Sequence, residues 1–285
     1  MKINNNLKLI ILVILILLLL LIVISNNKIY EKFQNNRNTV IALCANMAYF
    51  EKASKTIEEI RNVGKYNGDI VFFYNNEFTD TDKLNILESK YNVILKEFPT
   101  INTSSVINFL DSKQNSNFER LRNKMIQYHK FYIFDKYFKQ WEKVLYIDSG
   151  MHIYNSLDRI LNIEPAQHLF AHSDAYPKYV NKLDSQFDKN NKYFNTLKNK
   201  YNLYGDNYFQ SGILLFNTNI IKEDTVRNLI TLMNSYPIGN GDQAYINLHF
   251  IDNWKPMPIK DNNGFLYDYW KREQYTENDY VMLKY

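Results

Sequence analysis

Five short apolar runs set the architecture open to this chain. Val40 to Ala45, Asp69 to Tyr74, Val93 to Leu95, Val144 to Ile147 and Gly212 to Asn217 are of strand length and rich in β-branched and aliphatic residues. Strands covered on both faces read this way, because no position needs to be polar. Between the first three runs, Tyr49 to Val63 and Thr81 to Lys90 carry apolar residues at helical intervals. Strand alternating with helix predicts an α/β fold with a mostly parallel sheet. Phe118, Leu121, Met125, Tyr128, Phe131 and Phe134 recur every three or four residues, which predicts one long amphipathic helix from Phe118 to Phe138.

Ahead of these runs lies a segment of a different kind. Leu9 to Ile24 are sixteen consecutive apolar residues without Gly, Pro or charge. As a helix they rise about 24 Å, a little less than the hydrocarbon core of a bilayer. A cleaved signal peptide is the rival reading, but Ser25-Asn26-Asn27-Lys28 follows instead of a small-residue cleavage site, which favours a retained anchor. The organisation expected is a short tail over 1–8, a transmembrane signal-anchor over 9–25, a polar stem over 26–38 and one domain over 39–285. Lys2 and Lys8 before the span are matched by Lys28 and Lys32 after it, so charge alone does not orient it.

The domain has about 250 residues, enough for one large core, and the aromatic share of 15% supplies bulky groups to fill it. Cys44 is the only cysteine, which excludes an intramolecular disulfide and a Cys-rich zinc site. Its apolar setting favours a buried thiol over a nucleophile. The net charge of +4 is spread along the chain without a basic block, which argues against a nucleic-acid partner.

Candidate chemistry begins where the fourth run stops, at Asp148-Ser149-Gly150. In α/β sheets ligands bind beyond the carboxyl ends of strands, so Asp148 is placed to hold a hard divalent ion and a diphosphate. The same tripeptide is also ordinary turn chemistry. If the strand continued, His152 would share a face with Asp148 and could add a nitrogen ligand, acceptable to Mn²⁺ and poor for Mg²⁺; a structural histidine is the alternative. Asp242 could equally cap a helix beginning at Gln243.

Three segments in order carry a resemblance. Val144-Leu145-Tyr146-Ile147-Asp148-Ser149-Gly150 looks like a strand ending in Asp-x-Asp, with Gly150 in place of the second aspartate. Tyr208 to Asn217 is similar to a Phe-Asn-Ser-Gly-apolar-Asn segment, and Gly241-Asp242-Gln243 with Asn247 to an Asp-Gln-x-x-x-Asn segment. From Thr39 to Ile259 the chain resembles GT-A type glycosyltransferases of family 8, the glycogenin and galactosyltransferase group. The resemblance implies a single GT-A (Rossmann-like) α/β domain behind one N-terminal transmembrane helix, type II, with the catalytic part lumenal. It implies a nucleotide-sugar donor, a UDP-sugar used with retention, an unknown glycan or protein acceptor, and Mn²⁺ or Mg²⁺. A catalytically degenerate sugar- or nucleotide-binding scaffold of the same fold is the alternative.

On matching positions, Asp148 would bind metal, with His152 as a candidate second ligand. Asp242 or Gln243 would lie at the anomeric carbon, as nucleophile or as stabiliser of positive charge. Donor contacts fall to Tyr49, Lys130, Asp174, Gln210, Ser211 and Gly212, with Gln210 where the family has Asn. Lys130 could also be a solvated helix lysine, and Tyr49 a packing residue. The family's C-terminal His-x-x-Gly-x-x-Lys-Pro-Trp segment has no clean copy here, and Lys284 is the candidate stand-in. Tyr176 to Asp206 is the expected acceptor loop or lid.

Overall fold

The computed structural model describes residues 38–112, 124–173, 182–205, 207–269 and 276–284, and those from Thr39 onward belong to one compact unit. The apolar run Leu9 to Ile24, the stem up to residue 37 and Asp174 lie outside the described residues. Among those described, no helix is long and apolar enough to cross a membrane.

The first half alternates as its sequence predicts. β1 (Thr39–Cys44), α1 (Phe50–Asn62), β2 (Asp69–Asn75), α2 (Thr81–Tyr91) and β3 (Val93–Phe98) follow one another, with a 3₁₀ turn, Met47–Tyr49, leading into α1. α1 buries Phe50, Ala53, Ile57 and Ile60, one helical face spaced at three and four residues. α2 starts where the Asp80 side chain accepts from the Lys83 N–H and stops at Asn92, in the left-handed region at φ 50°. The Arg61 guanidinium ties the ends of both helices together. It donates to the carbonyls of Tyr66 and Tyr91 at 2.8 Å, Gly68 at 2.7 Å and Asn92 at 3.0 Å.

The remaining elements, in order, are α3 (Ser104–Asp111), β4 (Lys143–Ile147), β5 (Met151–Ile153), α4 (Asp158–Leu161), β6 (Leu169–Ser173), α5 (Lys192–Lys200) and β7 (Phe209–Asn217). Then come α6 (Thr225–Ser235), α7 (Gly241–His249), β8 (Trp254–Pro256), the short pair β9 (Lys260–Asp261) and β10 (Gly264–Phe265), β11 (Tyr267–Tyr269) and β12 (Met282–Lys284). The main sheet has the order β3-β2-β1-β4-β7-β6-β8. All its pairings are parallel except those of β7, which runs against both β4 and β6. The fold is therefore α/β with a mixed, mostly parallel sheet. Alternation along each strand builds two cores: Val40, Ala42 and Val144 face one, Ile41, Leu43 and Leu145 the other.

One expectation needs correction. The long amphipathic helix is not formed: Met125–Phe134 and Lys136–Gln140 are separate 3₁₀ segments, broken at Asp135, and residues 113–123 lie outside the described residues. Seven consecutive side chains, from Tyr128 to Phe134, are buried. A segment packed against β1, α6 and α7 at once has no solvated face, and apolar periodicity says nothing about one. The Asp135 side chain accepts from the Tyr137 N–H and stabilises the break. Among its described residues, the stretch expected as acceptor loop or lid carries a 3₁₀ turn (Leu183–Gln186) and α5.

Candidate active site

Asp148 leaves the end of β4 into a turn that three neighbours hold. Its backbone N–H donates to the Gly212 carbonyl at 2.8 Å, Ser149 Oγ donates to the Cys44 carbonyl at 2.9 Å, and the Gly150 N–H donates to Thr56 Oγ1 at 3.1 Å. Gly150 sits at φ +90°, a conformation that turns the chain back into β5 and that side chains resist. The turn is thereby fixed to β7, β1 and α1 before any side chain of the site is considered.

β7 and α7 deliver the facing residues. The pairing of β6 with β7 shifts register between Ala171 and His172, which leaves Ser211 and Gly212 out of the regular pairing with β6. Asn247 locks α7 onto this strand: its Oδ1 accepts from the Phe209 N–H, and its Nδ2 donates to the Phe209 carbonyl, both at 2.9 Å. Gln243 Oε1 accepts from the Ser211 N–H at 3.0 Å, and its Nε2 donates to Gln186 Oε1 at 2.9 Å. The helix begins one residue before Asp242, with Asn240 as its N-cap. Asp242 is therefore not the cap; it lies in the first turn, where the helix dipole favours a carboxylate.

Lys130 joins the two acids. Its ammonium lies 3.1 Å from Asp148 Oδ1, 2.8 Å from Asp242 Oδ2 and 3.1 Å from Ser211 Oγ, and Ser211 in turn donates to Asp242 Oδ2 at 2.8 Å. Only 5% of the lysine side chain is exposed, so this is no solvated helix lysine. Burial disfavours its charge, but Asp148 and Asp242 reverse the effect and hold its pKa above the ordinary lysine value. Asp148 is loaded further: Tyr146 donates to Oδ1 at 2.9 Å, and Lys284 donates to Oδ2 at 2.6 Å. Burial would raise the Asp148 pKa, yet Lys130 and Lys284 outweigh it and hold the carboxyl well below the usual range. Cys44 stands behind, its Sγ 3.5 Å from the Tyr146 hydroxyl; burial pushes its thiol up to about 12, so it stays protonated and is no nucleophile.

These groups wall one cavity of about 470 Å³. Tyr49, Lys130, Asp148 and Gln210 line it together with Ser211, Gly212, Asp242 and Gln243. His152 is not brought there. The strand does not continue through Gly150, and on β5 the His152 ring pairs with Glu59 Oε1 at 3.2 Å. The sequence reading missed Tyr146 and Gln186. Tyr146 was findable, since residues two apart on a strand share a face; Gln186 arrives from another part of the chain and left no local signal.

The sequence matches Glycosyl transferase family 8 over residues 40–283. The chain belongs to glycosyl transferase family 8. Membership implies a nucleotide-sugar donor, and solved structures agree on the fold. The galactosyltransferase LgtC, seen in complex with donor and acceptor sugar analogs, superposes with a TM-score of 0.55 at 13% identity, covering 86% of each chain. The bifunctional glycosyltransferase WbbM gives 0.57 at 17% identity, covering 87% of this chain and 46% of that one. GlyE of Streptococcus pneumoniae TIGR4 gives 0.50 at 16%, covering 76% and 44%. The family 8 chain thus spans a little under half the length of GlyE and WbbM. No curated protein matches the sequence.

Family 8 also implies Mn²⁺ or Mg²⁺, and the residues around Asp148 do not fit such an ion. A hard dication of this kind needs several oxygen ligands. Here Gly150 offers no side chain, both Asp148 oxygens are engaged by ammonium groups, and His152 is directed to Glu59. Among the described residues no three His, Cys, Asp or Glu side chains come together as a ligand set.

Proposed function

We propose that this chain transfers a hexosyl group from a UDP-sugar, with retention of anomeric configuration, to a glycan or protein acceptor. The observation that carries this reading is the mutual contact of Lys130, Asp148, Ser211 and Asp242 on one cavity wall beyond the strand ends of a family 8 domain. In such a transfer the bond from the anomeric carbon to the diphosphate oxygen breaks, and its electron pair leaves with the nucleoside diphosphate. The acceptor hydroxyl oxygen forms the new bond, and its proton passes to the departing diphosphate or to water. Positive charge grows on the sugar and negative charge on the phosphate. In this proposal the Asp242 carboxylate and the Gln243 amide dipole answer the first. Lys130 answers the second.

Gln210, Ser211 and Asp174 are assigned to the donor sugar, the Gly212 backbone to close approach, and Tyr49 to stacking on the base. Residues 9–25 are assigned to a single membrane span that would hold the domain, over 39–285, on the lumenal side behind a short stem.

The test is a panel of nucleotide sugars incubated with the full chain in detergent, reading release of nucleoside diphosphate. One UDP-sugar should be turned over, and Asp242→Asn should slow release about 10²- to 10³-fold while thermal unfolding stays cooperative. Stabilisation by a nucleotide sugar with no release under any acceptor would favour a sugar-binding scaffold instead.

A further inference from the structure

We propose that Lys284 takes the place of the divalent cation, so that the donor diphosphate is held by the Lys284 ammonium, with the buried charge of Lys130 behind it, and without a metal. This rests on the glycosyltransferase reading above and deepens it at the same cavity.

Three features converge on it. The first is placement: β12 pairs antiparallel with β5, setting Lys284 opposite Met151, just past the Asp148 turn. Lys284 lines the cavity with a quarter of its side chain exposed, and its Nζ is bound to Asp148 Oδ2 at 2.6 Å. The second is the acid's ligand capacity. Asp148 gives one oxygen to Lys130 and Tyr146 and the other to Lys284, so a dication would have to displace an ammonium and remain beside another.

The third is the backbone. A second carboxylate at position 150 would require a non-glycine residue at φ +90°, in a turn already tied to Thr56. Position 150 is built for a sharp turn and not for a ligand. A diphosphate still needs positive charge. Lys130 is committed to Asp148, Asp242 and Ser211, so the ammonium that meets the phosphate is the more exposed one, Lys284. An ammonium carries three N–H donors, so Lys284 can hold Asp148 and a phosphate oxygen at once.

The experiment titrates UDP, and then GDP, ADP and CDP, into the full chain in detergent by calorimetry, once in EDTA and once in Mn²⁺. UDP should bind with a dissociation constant in EDTA within about twofold of that in Mn²⁺. Lys284→Met should weaken binding in EDTA about tenfold or more, and Lys284→Arg should restore most of it. Asp148 keeps Lys130 and Tyr146 in both variants, and thermal unfolding checks that each is folded. UDP binding that requires Mn²⁺ and ignores Lys284→Met would overturn the inference and leave the transferase reading intact. Absence of binding by any of the four diphosphates in either buffer would overturn the transferase reading, and the inference with it.

Discussion

Lys130 Nζ lies 2.8 Å from Asp242 Oδ2, and both side chains are almost wholly withdrawn from water. Through this pair of opposite charges the 3₁₀ segment before β4 meets the first turn of α7. Removing one member strands the other. Lys130→Met should therefore cost about 3–5 kcal/mol in urea unfolding, because it leaves the buried Asp242 carboxylate without its counter-charge. A Lys130→Met, Asp242→Leu double variant should lose less than the sum of the two single changes, and additivity within about 0.5 kcal/mol would refute the coupling.

Gly241 sets where Asp242 points. It sits at φ +70°, and a Cβ there would come 2.6 Å from Gln127 Oε1. Gly241→Ala should lower stability by about 1–3 kcal/mol through strain and crowding at the start of α7. Because the helix start carries Asp242, release of nucleoside diphosphate should fall more than the small melting-temperature change accounts for. An Ala variant with unaltered turnover would detach the glycine from the site.

His129 gives the fold an acid-sensitive point. Burial pushes its pKa down to about 4 from an ordinary 6.5, and its Nε2 is buried with no hydrogen-bond partner among the described residues. The unfolded chain binds a proton over this interval that the fold rejects. The stabilising contribution is therefore complete above about pH 6.5, declines as pH falls, and is lost through about pH 4. It amounts to about 3 kcal/mol at the acid limit. His129→Phe, which keeps a ring against Phe73 and Tyr132, should flatten the pH dependence of denaturant stability. Some slope should remain, because burial also lowers the pKa of His249.

Arg61 reaches four backbone carbonyls with one planar group. A lysine has the charge but not the fork. Arg61→Lys should cost about 2 kcal/mol, read as a shift of the urea midpoint with unchanged slope. An effect below about 0.5 kcal/mol would mean that water replaces the lost donors without penalty.

Five strands of the main sheet were legible because each is a short apolar run; Asp148 was legible because it follows such a run at a turn, and Asp242 through its resemblance to an Asp-Gln-x-x-x-Asn segment. What stayed hidden depends on distant contacts. Gln186 meets Gln243 across 57 residues, and no local pattern encodes that meeting; Lys284, which meets Asp148 across 136, was named only as a stand-in for the family's C-terminal segment. His152 was misplaced by an alternation that assumed an unbroken strand, although Gly150 was in view as the residue able to break it. The segment from Tyr128 to Phe134 read as amphipathic because periodicity counts apolar positions without asking whether the polar ones, Lys130 among them, find partners indoors.

The sole cysteine turns the back wall of the cavity into its own clock. Cys44 lines the cavity with 8% of its surface exposed, is protonated and touches the tyrosine that holds Asp148, so an alkylating reagent can reach it only slowly and through the cavity. The rate of thiol labelling then reports how open the cavity is, with no engineered probe. A nucleoside diphosphate seated in front of it should slow that rate, and a change at Lys130 should quicken it.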